Sequence, residues 1–436
     1  MTAQRLSRLV EQHCGPWRER LYGPLMTLAL FIEQVMNPDQ SCQDAVCRAA
    51  CARVAQGQAR ASLNTGPYCK ARRRLSLSLI ETLGKEIGRD LCTNQPRSWL
   101  WRGRHLKLID GTTVTMPDTS ANQREFPQHG EQAPGVGFPI ARLLAVVSLS
   151  NGAVLQWASG PCEGAGSGEA AMLWSLSSQF SPGDVAIADR GLSSYFMLAR
   201  WRQLAVDFVV RQNGSRHTDF RRGRRLGARD HLVHWARPAR PVWMDEATYE
   251  QMPKSMEVRE LRSGNWTIVT SMLNRRRAPK REVVELYRAR WNIELDLRAI
   301  KSVMQMDMLR CRTPAMIAKE IAVHLLAYNL VRTLMAQAAA ASKEVQPRQL
   351  SFKTALQLIC AFHDLLRRCP RTRQALMRAH VLGGIACARL PHRPRRSEPR
   401  EVKRRRSSYK NLTQPRAELR PALLKRQLHF ISMAQR

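Results

Sequence analysis

Four residues in the segment 287–301, YRARWNIELDLRAIK, are of types that handle metal and phosphate: Tyr287, Arg290, Glu294 and Lys301. A carboxylate ligates hard divalent cations such as Mg²⁺, whereas Arg, Lys and Tyr grip phosphate oxygens. On a helix turning ~100° per residue, the four fall within an arc of about 60°. Ile293, Leu297, Ile300 and Met304 form an apolar stripe beside that arc, which predicts a helix seated on a core. Phosphoryl transfer on a nucleic-acid backbone is the chemistry such a face suits. An ordinary solvated helix of mixed charge is the plain alternative.

One glutamate cannot hold two metal ions, so further carboxylates are expected at strand ends upstream. Asp110 ends the alternating run His105-Leu-Lys-Leu-Ile-Asp110 and precedes Gly-Thr; Asp189 ends Asp184-Val-Ala-Ile-Ala-Asp189 and precedes Arg-Gly. Each has a simpler reading: Asp110-Gly111 as a hairpin turn pair, Asp189 as the cap of a helix beginning near Ser193. Three acids brought together repel one another, and a Mg²⁺ or Mn²⁺ pair relieves that repulsion and clamps an in-line displacement at phosphorus.

The spacing of Tyr, two residues, Arg, three residues, Glu, six residues, Lys resembles the signature of bacterial DDE transposases, specifically the insertion sequence four group. Asp110-Gly-Thr112 and Asp189-Arg-Gly191 resemble the contexts of that group's two catalytic aspartates. The resemblance covers roughly residues 104–335. It implies an RNase H-like catalytic core with Asp110, Asp189 and Glu294 as catalytic and metal-binding residues. It also implies cleavage at the ends of a mobile element and strand transfer into target DNA. In some relatives a tryptophan from a β-strand insertion stacks on a flipped base. Trp266, 28 positions before Glu294, is the candidate here, with Trp235 and Trp243 as substitutes and a structural role as the alternative. Charge and reach assign Tyr287, Arg290 and Lys301 to DNA phosphates.

The elements that must position these residues follow from period and punctuation. Residues 1–98 read as a helical domain; within it Thr65-Gly-Pro67 starts an element crowded with Lys70, Arg72, Arg73 and Arg74, a pattern that suits DNA as well as a plain solvated face. Near residue 100 the period changes to two. His105–Asp110 and Gly111–Met116 look like paired strands, and a catalytic domain is expected over 99–340. The 105 positions between Asp189 and Glu294 exceed what a short connection needs, so a β-rich insertion is placed at about 200–278. C-terminal helices (341–388) and a basic tail (389–436, 15 Lys/Arg against 3 Glu) complete an α/β (α+β) chain flanked by helical regions.

The 436 residues carry 70 Lys+Arg against 35 Asp+Glu, a net charge of +35. Such a charge suits an acidic membrane surface, a ribosome or DNA, and composition alone does not choose among them. The transposase resemblance implies double-stranded DNA, both element ends and target, with the two ends held by a homodimer. Eleven cysteines form no CxxC pair, and Cys42, Cys47 and Cys51 read as buried free thiols on a helix rather than a zinc site. No membrane span is expected: the apolar stretch 321–341 is interrupted by His324, Asn329 and Arg332. A cytoplasmic, nucleoid-associated protein is the resulting picture, and Gly164, Gly166 and Gly168 read as a flexible loop rather than a nucleotide site. A metal-dependent nuclease or resolvase, and a catalytically silent DNA-binding regulator, are the competing functions.

Overall fold

The computed structural model describes residues 2–391, apart from 18–20, 165–166 and 343, and a few positions between 412 and 424. Gly166 and most of the basic tail fall outside the described residues.

Five helices open the chain: α1 (Ala3–His13), α2 (Pro24–Met36), α3 (Cys42–Ala55), α4 (Gly66–Arg74) and α5 (Leu77–Thr93). Thr2, Ser41 and Ser76 cap α1, α3 and α5, each side chain accepting a backbone N–H of the first turn. Arg72 does not join a basic outer face. Its guanidinium is buried 4.2 Å over the Phe31 ring and donates to Gln34 Oε1 and Cys311 Sγ, tying α4 to residues near the signature segment. Cys42 and Cys47 are partly buried but Cys51 is exposed, contrary to the expectation of buried thiols, because α3 turns that face to solvent.

The sheet follows. β1 (Leu106–Thr115) pairs antiparallel with β2 (Ile140–Ser148), which pairs with β3 (Val154–Pro161); the short helix α6 (Ser120–Glu125) lies between β1 and β2. Helix α7 (Glu169–Leu176) leads to β4 (Val185–Ala188), and α8 (Tyr195–Gln203) to β5 (Asp207–Arg211). Both strands run parallel to β1, the crossovers being helical as parallel pairing requires. The order β3-β2-β1-β4-β5, three antiparallel strands continued by two parallel ones, is that of an RNase H-like core within an α+β chain.

Asp110-Gly111 is not a turn. β1 continues through it, Asp110 opposite Ala145 and Gly111 opposite Leu144, because the Thr-Thr-Val-Thr run after the glycine keeps the strand period. The same sheet extends through β6 (Arg224–Gly227), β7 (Asp230–Ala236), β8 (Ser255–Ser263) and β9 (Trp266–Thr270), with helix α9 (Glu246–Glu250) between β7 and β8. β9 pairs with β5, so all nine strands form one sheet. A buried Arg259 fixes this end, donating to both Asp230 carboxylate oxygens at 2.8 and 2.6 Å.

The segment after β9 is broken into α10 (Lys280–Arg288) and α11 (Trp291–Arg298), followed by a π turn over Ala299–Val303. The single straight helix expected from the periodicity therefore kinks at Ala289–Arg290. There the backbone tightens to i→i−3 bonds, and Asn292 Nδ2 donates to the Ala289 carbonyl at 2.8 Å. The long helix α12 (Pro314–Ser342) is buried along most of its length, with α13 (Phe352–Arg368) and α14 (Arg371–Cys387) against it. Its polar residues are used internally: Asn329 accepts from Val154 N and donates to the carbonyls of Gly84 and Val154. Gly84 and Gly88 let α5 lie close on β3; a Cβ on Gly88 would sit 2.4 Å from the Val154 carbonyl oxygen. No helix among the described residues is long and apolar enough to cross a membrane.

Candidate active site

The acidic positions meet where β4 ends. β1 and β4 pair up to Ile109 opposite Ala188, so from Asp110 onward β1 lacks a neighbour on that side. Asp110 therefore sits at an open notch in the sheet, and Asp189 leaves β4 beside it, starting a short 3₁₀ turn at Arg190–Leu192. Alternation along β1 places Asp110 and Thr112 on the face covered by α10 and α11, with Leu106 and Leu108 packed in the core beneath.

The kinked helix pair closes over this face. Tyr287 Oη donates to Asp189 Oδ1 at 3.1 Å. Arg290 forks between two acids, Nη1 to Asp110 Oδ2 and Nη2 to Glu294 Oε1, each 3.2 Å. Lys301 Nζ donates to Thr112 Oγ1 at 3.1 Å. Trp266, at the start of β9, lies edge-on to Tyr287 with ring centroids 5.8 Å apart, and the Arg211 guanidinium lies over its ring at 5.9 Å from the centre. The structure thus brings all seven residues singled out in the sequence to one side of the sheet notch. Trp235 is instead buried and bonded to Glu260 Oε1, while Trp243 packs on Trp174 and Phe196.

The electrostatics follow from this packing. Burial pushes Asp110 up to about 6; Arg290 and the Gly111 N–H oppose the rise, and Glu169 and Glu294 add to it. Burial, with Asp189 next, pushes the Tyr287 hydroxyl up to about 12, so it stays a donor at neutral pH. Among the described residues no three acidic or metal-ligating side chains converge closely enough to enclose an ion. The reason is visible: a guanidinium stands between Asp110 and Glu294. An oxygen-only donor set already bridged by a stand-in cation fits a hard divalent metal, once the Arg290 fork is withdrawn.

Two further features escaped the sequence reading. Asp296, two positions beyond Glu294, is fully buried; its carboxylate takes Arg332 at 2.5 Å, Arg348 at 2.7 Å and the Tyr328 hydroxyl at 3.0 Å. This network clamps the back of α11 to α12. Trp291 and Leu295 are 50 % and 59 % exposed on either side of Glu294, leaving an apolar lip on the signature helix. Its signal in the sequence was Trp beside Arg290, outside the apolar stripe.

An RNase H-like sheet with acids at its notch, beneath a helix rich in phosphate-gripping side chains, defines a polynucleotide phosphoryltransferase. The transposase DDE domain matches residues 101–330, more than half of the chain, and the chain belongs to that family: it is a DNA transposase, an enzyme of phosphoryl transfer on DNA. The chain is 28% identical over 347 residues to the transposase InsG of insertion sequence element IS4 from Escherichia coli strain K12, covering 76% of each. A cryo-EM structure of the piggyBac transposase synaptic complex with hairpin DNA matches over 90% of this chain and 82% of that one. At 10% identity and a TM-score of 0.41, that likeness is distant.

Proposed function

We propose that this transposase cuts at the ends of its own insertion element and joins the freed ends to target DNA, using Asp110, Asp189 and Glu294 as its catalytic, metal-binding residues. The observation carrying this reading is the Arg290 fork, which holds Asp110 and Glu294 around one cation, with Asp189 tied in through Tyr287. The three carboxylates would hold two Mg²⁺ ions, with Mn²⁺ as a substitute; when bound, such ions neutralise charge developing on the phosphoryl oxygens.

The chain's own residues then have definite tasks. Arg290, released from the acids, and Lys301 grip phosphates flanking the scissile bond, and the Tyr287 hydroxyl donates to a third. Trp266 offers the open edge of its partly buried indole to a base displaced from the duplex. The attacking oxygen comes first from water and then from the freed 3′-hydroxyl. Both displacements are in-line at phosphorus, so one set of acids serves each. The N-terminal helices (1–98) and the basic tail (389–436) extend the grip on DNA, and two copies hold two ends. The setting is the cytoplasm, on the nucleoid.

The test is cleavage of a labelled duplex carrying the element end, in Mg²⁺, Mn²⁺ or chelator, by wild type and Glu294→Gln. Metal-dependent release of a 3′-hydroxyl, lost in the variant while DNA binding persists, is the expected result. Cutting without joining would indicate a nuclease. Binding without cutting in any metal would indicate a silent regulator.

A further inference from the structure

Glu169 opens α7, the helix packed against β2, β3 and the turn that follows Asp189. Gly111 follows Asp110 on β1 and so faces the opposite side of the sheet, the side that α7 covers. A Cβ placed on Gly111 would lie 2.1 Å from Glu169 Oε1 and 2.5 Å from its carboxyl carbon. The carboxylate therefore occupies the space a side chain at 111 would fill, resting directly on the strand backbone next to Asp110. Because β4 stops at Ala188, the sheet is open at this point, and groups from its two faces approach each other through the gap.

The partners differ in a telling way. Asp110 and Glu294 share Arg290, and Asp189 accepts from Tyr287. Glu169 is half-buried beside them, yet has no hydrogen-bond or ion-pair partner among the described residues. A carboxylate held next to another, partly out of water and without a counter-charge, is unfavourable unless a proton or a cation joins them.

We propose that Glu169 is a fourth acidic residue of the metal-binding centre, acting with Asp110 on an ion at the α7 side of the notch, across the sheet from Glu294. Gly111 is then required so that this carboxylate can reach the strand. The assignment rests on the reading of Asp110 as a metal-binding residue.

Binding of Mn²⁺ to the full chain without DNA, followed by electron paramagnetic resonance, tests it with wild type, Glu169→Gln and Asp110→Asn. Glu169→Gln is expected to weaken Mn²⁺ binding about tenfold or more while melting in chelator like wild type. Cleavage of the wild-type backbone by hydroxyl radicals from bound Fe²⁺ needs no variant and is expected near residues 110, 189 and 169. Wild-type Mn²⁺ affinity in Glu169→Gln, or Fe²⁺ scission at 110 and 189 but not at 169, overturns the proposal. Unchanged Mn²⁺ binding in Asp110→Asn as well would overturn the reading of the centre itself.

Discussion

Asp110 is the residue whose surroundings matter most. Burial first, then neighbouring acids, lifts it to about 6, so the folded, metal-free protein holds this proton more tightly than the unfolded chain does. The sign is therefore opposite to that of an aspartate whose ion pair outweighs its burial. Its stabilising contribution is complete below the ordinary carboxylate range near 4 and is lost as pH rises through about 6. That rise corresponds to roughly 3 kcal/mol. In chelator, Asp110→Asn should melt above wild type at pH 7.5 and level with it at pH 4, and Mg²⁺ should raise the melting temperature of wild type alone. Arg290 is a fork that spans two acids, a shape an ammonium cannot copy. Arg290→Lys is accordingly expected to slow end cleavage about a hundredfold in a single-turnover assay, while leaving the melting temperature near wild type. Asp110, Asp189 and Glu294 were visible in the chain because the aspartates follow apolar strand runs and the glutamate sits in a fixed Tyr-Arg-Glu-Lys spacing, each next to diagnostic neighbours. Glu169 was not, since a glutamate opening a helix looks like any first-turn acid, and only the contact with Gly111 sets it apart.

At the scale of elements, the strands, the capped helices and a β-rich stretch before the signature were legible from alternation and punctuation, although Phe208-Val-Val210, within the insertion expected at about 200–278, belongs to core strand β5 beside β4. The kink at Ala289–Arg290 was not. Helical periodicity continues across it, and the break depends on an Asn292 side-chain bond and on packing. The unbroken β1 was equally hidden, because Asp-Gly is a frequent turn pair in isolation. The buried clamp behind α11 left no local mark in the sequence because its partners lie 36 and 52 positions away. Its rupture should be severe: Asp296→Ala leaves Arg332 and Arg348 without their acid and is expected to cost about 3–5 kcal/mol, measured by denaturant melts. Gly88→Ala pushes a methyl against the Val154 carbonyl and should cost about 1–3 kcal/mol, whereas Gly383→Ala, in open space, should not destabilise.

For the whole molecule, the net charge of +35 is the dominant fact, and composition alone displays it. If DNA is held through 6–10 phosphates, affinity should fall by roughly 10³–10⁵ between 50 and 200 mM salt, as fluorescence anisotropy can record. The inward turn of Arg72 shows why a sequence count overstates this surface: one cation of a basic cluster serves as a tie between α4 and Cys311. The Arg290 fork has a last consequence at this scale. A single guanidinium cannot bridge its own acids and hold a phosphate at the same time. On the proposed assignment of these residues, DNA that draws it away vacates the space for ions, and ions that claim the acids release it for DNA. The two ligands must then strengthen each other's binding by the same factor. On that assignment the resting enzyme carries its own safety catch, which either ligand loosens for the other.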